Sequence, residues 1–248
     1  MDIILAGEML ALQIHESCGH PIELDRVLGT EASFAGTSFL TPDKLGELRY
    51  GSEHVNLTAD ATIAGGLGSF AYDDEGVPAQ RTDIVRDGIF VGYLTSRETA
   101  AQLGLPASNG TMRADGYNCL PIIRMTNINL EPGDVPFDDL IASTERGLLM
   151  DVNRSWSIDD KRLNFQFGCE VGRVIEDGEI VGIVRNPTYT GITPQFWGSC
   201  DAVADDASWY VEGIWNCGKG EPGQTAHVGH GVSAARFRGV QVGVMCDE

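Results

Sequence analysis

The stretch His15-Glu16-Ser17-Cys18-Gly19-His20 places two imidazoles around one carboxylate. Imidazole is a good zinc ligand, and a nearby carboxylate can take a proton from metal-bound water. That is the side-chain set of a hydrolytic zinc site. The familiar zinc-protease helix reads H-E-x-x-H; this one has a residue more, H-E-x-x-x-H. On an α-helix, positions four apart lie about 40° apart round the axis, and positions five apart about 140°. Histidines that far round do not reach one small ion. A turn widened to i→i+5 bonding brings them back together, and such π-bulges occur at functional sites. Gly19, without a Cβ, eases the distortion. The spacing therefore predicts a bulged or terminating helix. A regular helix, with His15 and His20 on opposite sides, leaves only two hydrogen-bonded structural histidines.

A catalytic zinc usually has three protein ligands and one open position. The candidates for the third are Glu23, His54, His227, His230 and the cysteines. Glu23, three residues past His20, reads as a ligand, as a partner that orients a histidine, or as an exposed helix-end acid. Cys217 sits in Asn216-Cys217-Gly218-Lys219-Gly220. A glycine-flanked turn with a lysine two residues on suits an accessible, deprotonated thiol. His227-Val228-Gly229-His230 reads as a metal-binding pair or as a surface pair at a strand edge. Cys119, Cys169, Cys200 and Cys246 read as small core hydrophobes, and Cys18 has no role to argue.

Three further groups have polar chemistry. Asp73-Asp74-Glu75 lacks the alternation of an EF-hand and reads as a solvated turn before a Ca²⁺ site. Arg113 and Arg124 either clamp a substrate carboxylate or pair within a surface or strand. Asn109-Gly110 marks a flexible point in a long loop, residues 104–120, beside the site.

The elements that must position these residues are mostly strands. Thirty-one glycines punctuate short apolar or alternating runs, a strand-rich pattern. Asp87-Gly88 joins runs 82–86 and 89–94, and Asp177-Gly178-Glu179 joins runs 169–175 and 180–184. Asp-Gly between such runs is a strong hairpin signal. Residues 122–130 alternate like one strand, and 232–237 with 240–244 read as a final strand pair. Residues 3–5 and 10–14 are apolar, so the motif follows a strand and a tight turn. Helical signals cover the motif, 96–103 with Ser96 as cap, 137–143 and 201–208. The fold class is α+β, mostly antiparallel sheet with few helices, with the metal motif on a bulged or short helix.

The chain has 248 residues and a formal net charge of −19, enough length for a sizeable core. Its acidic surface repels phosphates, which argues against nucleic-acid binding. No apolar run approaches the ~20 residues of a membrane span. Six scattered cysteines, with no C-x-x-C, are no disulfide framework. A reducing, cytoplasmic setting is the expectation.

The blocks along the chain resemble the TldD/PmbA metallopeptidases, on the metal-bearing TldD side. His15 to Glu23 resembles the family's H-E-x-x-G-H-x-x-E signature. Phe70-Ala71-Tyr72-Asp73-Asp74-Glu75-Gly76 resembles its Asp-Asp-Glu-Gly turn. Gly92-Tyr93-Leu94-Thr95-Ser96-Arg97 and Arg124-Met125-Thr126-Asn127 are similar to two further blocks. Cys217-Gly218-Lys219, Gly223-Gln224 and Val228-Gly229-His230-Gly231 resemble the C-terminal block. The resemblance implies Zn²⁺ held by His15, His20 and Cys217, with Glu16 as the general base that activates zinc-bound water. It implies hydrolysis of unfolded or extended peptides held by strand addition. It also implies a homo-oligomer, or a heterodimer with a related subunit that lacks the histidine motif. A catalytically silent peptide-binding or assembly subunit is the alternative. Family members carry an amino-terminal domain before the motif; here His15 stands near the start, so residues 1–248 are expected to form a single domain of the C-terminal type without it. His227 and His230 occupy places not typically histidine.

Overall fold

The computed structural model describes residues 1–221 and 223–244; Cys246 lies outside them. The apolar strand Asp2–Leu5 is central to a six-stranded sheet. It runs parallel to Arg146–Met150 and antiparallel to Ala235–Phe237. Val171–Glu176 and Glu179–Arg185 extend the sheet on one side and Cys200–Val203 on the other. The other strand ladders among the described residues are antiparallel. A four-stranded sheet orders Gln241–Val244, Pro187–Ile192, Asn164–Cys169 and Asn153–Ile158, the last at its edge. A second orders Ile89–Phe90, Arg81–Arg86, Leu57–Asp60 and Ile128–Leu130. A long hairpin pairs Tyr210–Lys219 with Gln224–Val232.

The helix Gly7–Ile14 is buried from Met9 onward. Apolar residues of this helix pack in the main cluster with Leu57, Phe167, Trp197 and Phe237, and its one buried polar side chain, Gln13, bonds to Ser17 and Tyr189. The run 10–14 is thus helix, and the motif continues it directly. Both Asp-Gly turns form as expected. Asp87 and Gly88 have φ 49° and 76°, and Asp177 and Gly178 have φ 49° and 80°. Positive φ at both positions is what a two-residue hairpin turn with the strands' own twist requires. Ser96 caps the helix Arg97–Gln102 through a capping box with Thr99. The 137–143 signal is the helix Phe137–Ala142.

Five expectations are corrected. Residues 201–208 are strand Cys200–Val203 and a 3₁₀ turn, Asp206–Ser208, because the first part pairs with Ala235–Phe237. The helix lies earlier, at Thr193–Gly198, with Pro194 at its start, a position that tolerates proline. The 122–130 run splits into Ile122–Ile123 and Ile128–Leu130. Between them Arg124 and Asn127 turn buried side chains onto backbone carbonyls of other segments. The strands Ala235–Phe237 and Gln241–Val244 do not pair with each other; each extends a different sheet. Cys169 ends the strand Asn164–Cys169 instead of opening the following hairpin, and Cys119 is partly exposed in its loop, while Cys169 and Cys200 are buried.

Candidate metal centre

The helix Gly7–Ile14 passes into a π-turn, His15–Gly19, in which His20 N–H donates to His15 O at 3.1 Å. This is the widened turn that the five-residue spacing calls for. The His15 and His20 rings meet edge to face with centroids 4.8 Å apart. The surroundings hold the turn. Ser17 Oγ donates to Gln13 O at 2.5 Å and accepts from Trp197 Nε1 at 2.9 Å; Tyr50 Oη donates to Ser17 O at 2.9 Å. Gly19 has no positive φ. Its missing side chain matters for packing, since a Cβ there would sit 2.2 Å from Met125 Sδ.

Cys217 reaches the site from the long hairpin. The register of that hairpin shifts between Ile214 and Cys217. In a regular strand Trp215 and Cys217 would share one face. Here Trp215 is exposed and Cys217 buried, because the bulge re-aims the strand beyond it. Cys217 therefore lies in a strand and not in an accessible turn. Lys219 points away from the thiol and donates to Asp25 Oδ1 at 2.7 Å.

The donor atoms of His15, His20 and Cys217 all lie within 4.8 Å of one another, and all three residues are buried. Cys217 Sγ is 3.7 Å from His20 Nε2. Zn–S and Zn–N bonds at tetrahedral angles put S and N about 3.6 Å apart, so this pair suits one zinc ion. The remaining ring nitrogens face other partners: His20 Nδ1 is 2.9 Å from Glu23 Oε2, and His15 Nδ1 is 2.9 Å from His230 Nε2. Burial is the largest influence holding both imidazoles well below their usual pKa, with neighbouring charges adding to it, so both rings are neutral, the ligand form. Burial also pushes the Cys217 thiol up to about 11, against the Arg124 guanidinium. A divalent cation among these donors would draw off that proton. The donor set fits zinc.

Glu16 stands beside the group, paired with Arg162 Nη1. Burial raises its pKa, and Arg162 opposes the rise. Behind the histidines lies a buried charged cluster. Glu23 Oε2 is 3.7 Å from both Arg26 Nε and Lys219 Nζ, and Glu31 Oε2 is 3.3 Å from Arg26 Nη2. A cleft of about 1000 Å³ opens in front, lined by His15, Glu16, His20, Arg162 and Cys217, with walls from Asn153–Ile158 and Tyr210–Lys219.

The other candidates fall elsewhere. Glu23 orients His20 and is not in the donor group. His54 is exposed. His227 and His230 form no pair: three apart on one strand, they take opposite faces. His227 is exposed against Trp215, and His230 is buried, with burial lowering its pKa to about 4. Arg124 Nη2 donates to Cys217 O at 2.6 Å and to Cys217 Sγ at 3.1 Å. Arg113 Nη1 donates to Met125 O and His227 O, each at 2.8 Å. Both arginines thus bond within the fold. Asp73 is buried and accepts from Glu75 N, Val77 N and Met112 N, a built turn and not a solvated one. Asn109 is pinned to Thr95 and Tyr93. Sequence reasoning missed Arg162, whose only signal is a basic residue in the turn between two strands, and the role of His230.

The chain belongs to the family described as PmbA/TldA metallopeptidase C-terminal domain, whose model matches residues 1–244. A metalloprotease of Methanocaldococcus jannaschii is 37% identical over 94% of this chain and 49% of its own length. A TldD homologue named as a metalloprotease in Haemophilus influenzae is 32% identical, over 98% of this chain and 48% of its own. A protein of Saccharolobus solfataricus named zinc metalloprotease TldD homologue is 28% identical over 97% of this chain and 51% of its own. The chain thus spans about half the length of these relatives. TldE of Thermococcus kodakarensis shares the fold, with a TM-score of 0.78 over 97% of this chain and 49% of that one, at 21% identity. No helix among the described residues is long and apolar enough to cross a membrane.

Proposed function

We propose that this chain is the catalytic portion of a zinc peptidase that cleaves extended peptides. One observation carries the reading: two imidazoles and a thiol converge within 4.8 Å beside a carboxylate at the floor of an open cleft. His15, His20 and Cys217 would hold the ion. Zinc supplies Lewis acidity and makes water a usable nucleophile near neutral pH. Glu16 takes the proton of the attacking water and later passes it to the leaving amine. Its raised pKa suits that exchange, since a base works best with a pKa near the operating pH. Arg162 fixes the carboxylate's position through one oxygen, Oε2.

The walls suit main-chain recognition. Asn153–Ile158 is the edge of its sheet, and Tyr210–Lys219 has one strand partner among the described residues. Both border the cleft and offer unpaired backbone groups to an extended chain. Such binding is broad in sequence. A second copy, or a related subunit lacking the histidine motif, would close the cleft from outside.

The Glu16–Arg162 pair also favours a second reading, a peptide-binding subunit without turnover, since the guanidinium occupies the carboxylate and opposes the rise of its pKa. Two variants separate them. The wild type should carry about one zinc per chain by elemental analysis, and Cys217→Ala should lose it. Glu16→Gln should keep the zinc and lose cleavage of an unfolded casein substrate. Unchanged cleavage in Glu16→Gln removes the general-base role; wild-type zinc without cleavage favours the silent subunit.

A further inference from the structure

His230 is buried beside the metal group but is not one of its donors. Its Nδ1 lies 3.0 Å from Ile128 O, and its Nε2 lies 2.9 Å from His15 Nδ1. A carbonyl oxygen only accepts hydrogen bonds. His230 therefore carries its proton on Nδ1, and Nε2 of the neutral ring is a lone pair. That lone pair can only accept, so His15 Nδ1 must be the N–H donor. His15 is then left with its own lone pair on Nε2. We propose that His230 is a positioning residue for the metal site, and that the chain Ile128 O, His230, His15 fixes His15 as an Nε2 ligand.

The proposal rests on the reading of His15 as a zinc ligand. The anchoring is rigid at each step. Ile128 lies in the ladder with Leu57–Asp60, and His230 lies in the long hairpin. The His15 and His230 rings meet at 79° with centroids 5.0 Å apart, so His15 is gripped by ring packing as well as by the hydrogen bond. His20 has a parallel arrangement, with the Glu23 carboxylate as acceptor. Metal-bound histidines commonly donate their free N–H to such a partner, which sets tautomer and ring orientation. At His15 the partner is another imidazole, whose orientation is set in turn by a main-chain carbonyl.

The test uses the 248-residue chain with His230→Leu and His230→Gln. Leucine gives His15 no acceptor, whereas glutamine offers a carbonyl oxygen. Long-range ¹H–¹⁵N NMR of the zinc-free proteins reads the His15 tautomer, and chelator competition reads zinc affinity. The wild type should show His15 protonated at Nδ1. His230→Leu should show mixed His15 tautomers and bind zinc about 10–100-fold more weakly, with His230→Gln restoring most of the affinity. Three results overturn the proposal: a wild-type His15 protonated at Nε2, a His230→Leu protein that binds zinc as tightly as the wild type, or equal zinc loss in both variants with the His15 tautomer unchanged. A wild type with the expected tautomer but no zinc binding overturns the metal reading, and the role of His230 with it.

Discussion

On its cleft side the metal group meets one ion pair, Glu16 with Arg162, and open space walled by the exposed Trp156 and Trp215. On its buried side it meets Glu23, Arg26, Glu31 and Lys219, whose side chains are each at most 1% exposed. The cleft side, which also carries Glu8 and Glu212, opens to water. Glu16 and Arg162 are largely buried but border that open space, so a partner left by a change there lies within reach of water. The buried side has no such reserve. Each acid there depends on a cation fixed in place, because an unpaired charge in the interior is costly. On the proposed function, turnover would be governed from one face of the three donors and stability from the other.

Glu16→Gln makes the sharpest break. Cleavage should fall about 10²–10⁴-fold, the usual contribution of a positioned base, while the thermal midpoint and zinc content stay near those of the wild type. A large fall in the midpoint would show that the cleft side also holds the fold. Lys219→Met tests the other face. Lys219 Nζ donates to Asp25 Oδ1 and Ile123 O and stands 3.7 Å from Glu23 and Glu31. Removing the cation leaves Glu23 and Glu31 to Arg26 and takes the bonded ammonium from Asp25. The cost should be about 3–5 kcal/mol, seen as a midpoint lower by roughly 6–20 °C in a domain of this size. A Lys219→Met protein that melts like the wild type would end the distinction between the faces.

The motif turn and two hairpins were legible in the sequence, whereas Arg162 of the cleft was not. The five-residue spacing of His15 and His20 leads to the π-turn by helix geometry alone, and the two Asp-Gly turns lead to their hairpins. The third donor was legible only by resemblance. Its environment was read wrongly, because Asn216 before Cys217 and Gly218 and Gly220 after it signal a turn, whereas the register shift before it buries it within a strand. On the buried side only Glu23 was legible, as one of three alternatives, a partner that orients a histidine. Lys219 and Asp25 are 194 residues apart, and no local pattern joins them. His230 was hidden by its own motif: both readings of His-x-x-His, a metal-binding pair or a surface pair at a strand edge, keep the rings together, but three apart on a strand they point to opposite faces. Residues 201–208 failed for a related reason, since pairing with Ala235–Phe237 decides their state and local propensity does not.

Gly19→Ala probes the seam between the faces. The new Cβ would lie 2.2 Å from Met125 Sδ and 3.1 Å from its Cε. Methionine is flexible, so part of the overlap relaxes. The remaining overpacking should cost about 1–3 kcal/mol. It should also displace the π-turn, so zinc binding should weaken together with the midpoint. Chelator competition and thermal melts on one preparation check this. A midpoint that falls with zinc affinity intact would separate the packing of Gly19 from the placement of His20.

Ser96→Ala is the smallest of these changes and calibrates the others. Ser96 Oγ accepts from Thr99 N at 3.0 Å, and Ser96 N donates to Thr99 Oγ1 at 2.9 Å. Alanine removes the first of these bonds and leaves an amide at the start of Arg97–Gln102 without its acceptor. The loss should be about 1 kcal/mol, or roughly 2–4 °C in the midpoint. The cap hydroxyl bonds to Thr99 and to none of the three donors. Zinc affinity and cleavage should therefore match the wild type. If this modest loss of stability also weakened zinc binding, the site would be following overall stability, and the weaker binding of Gly19→Ala would say nothing particular about the π-turn.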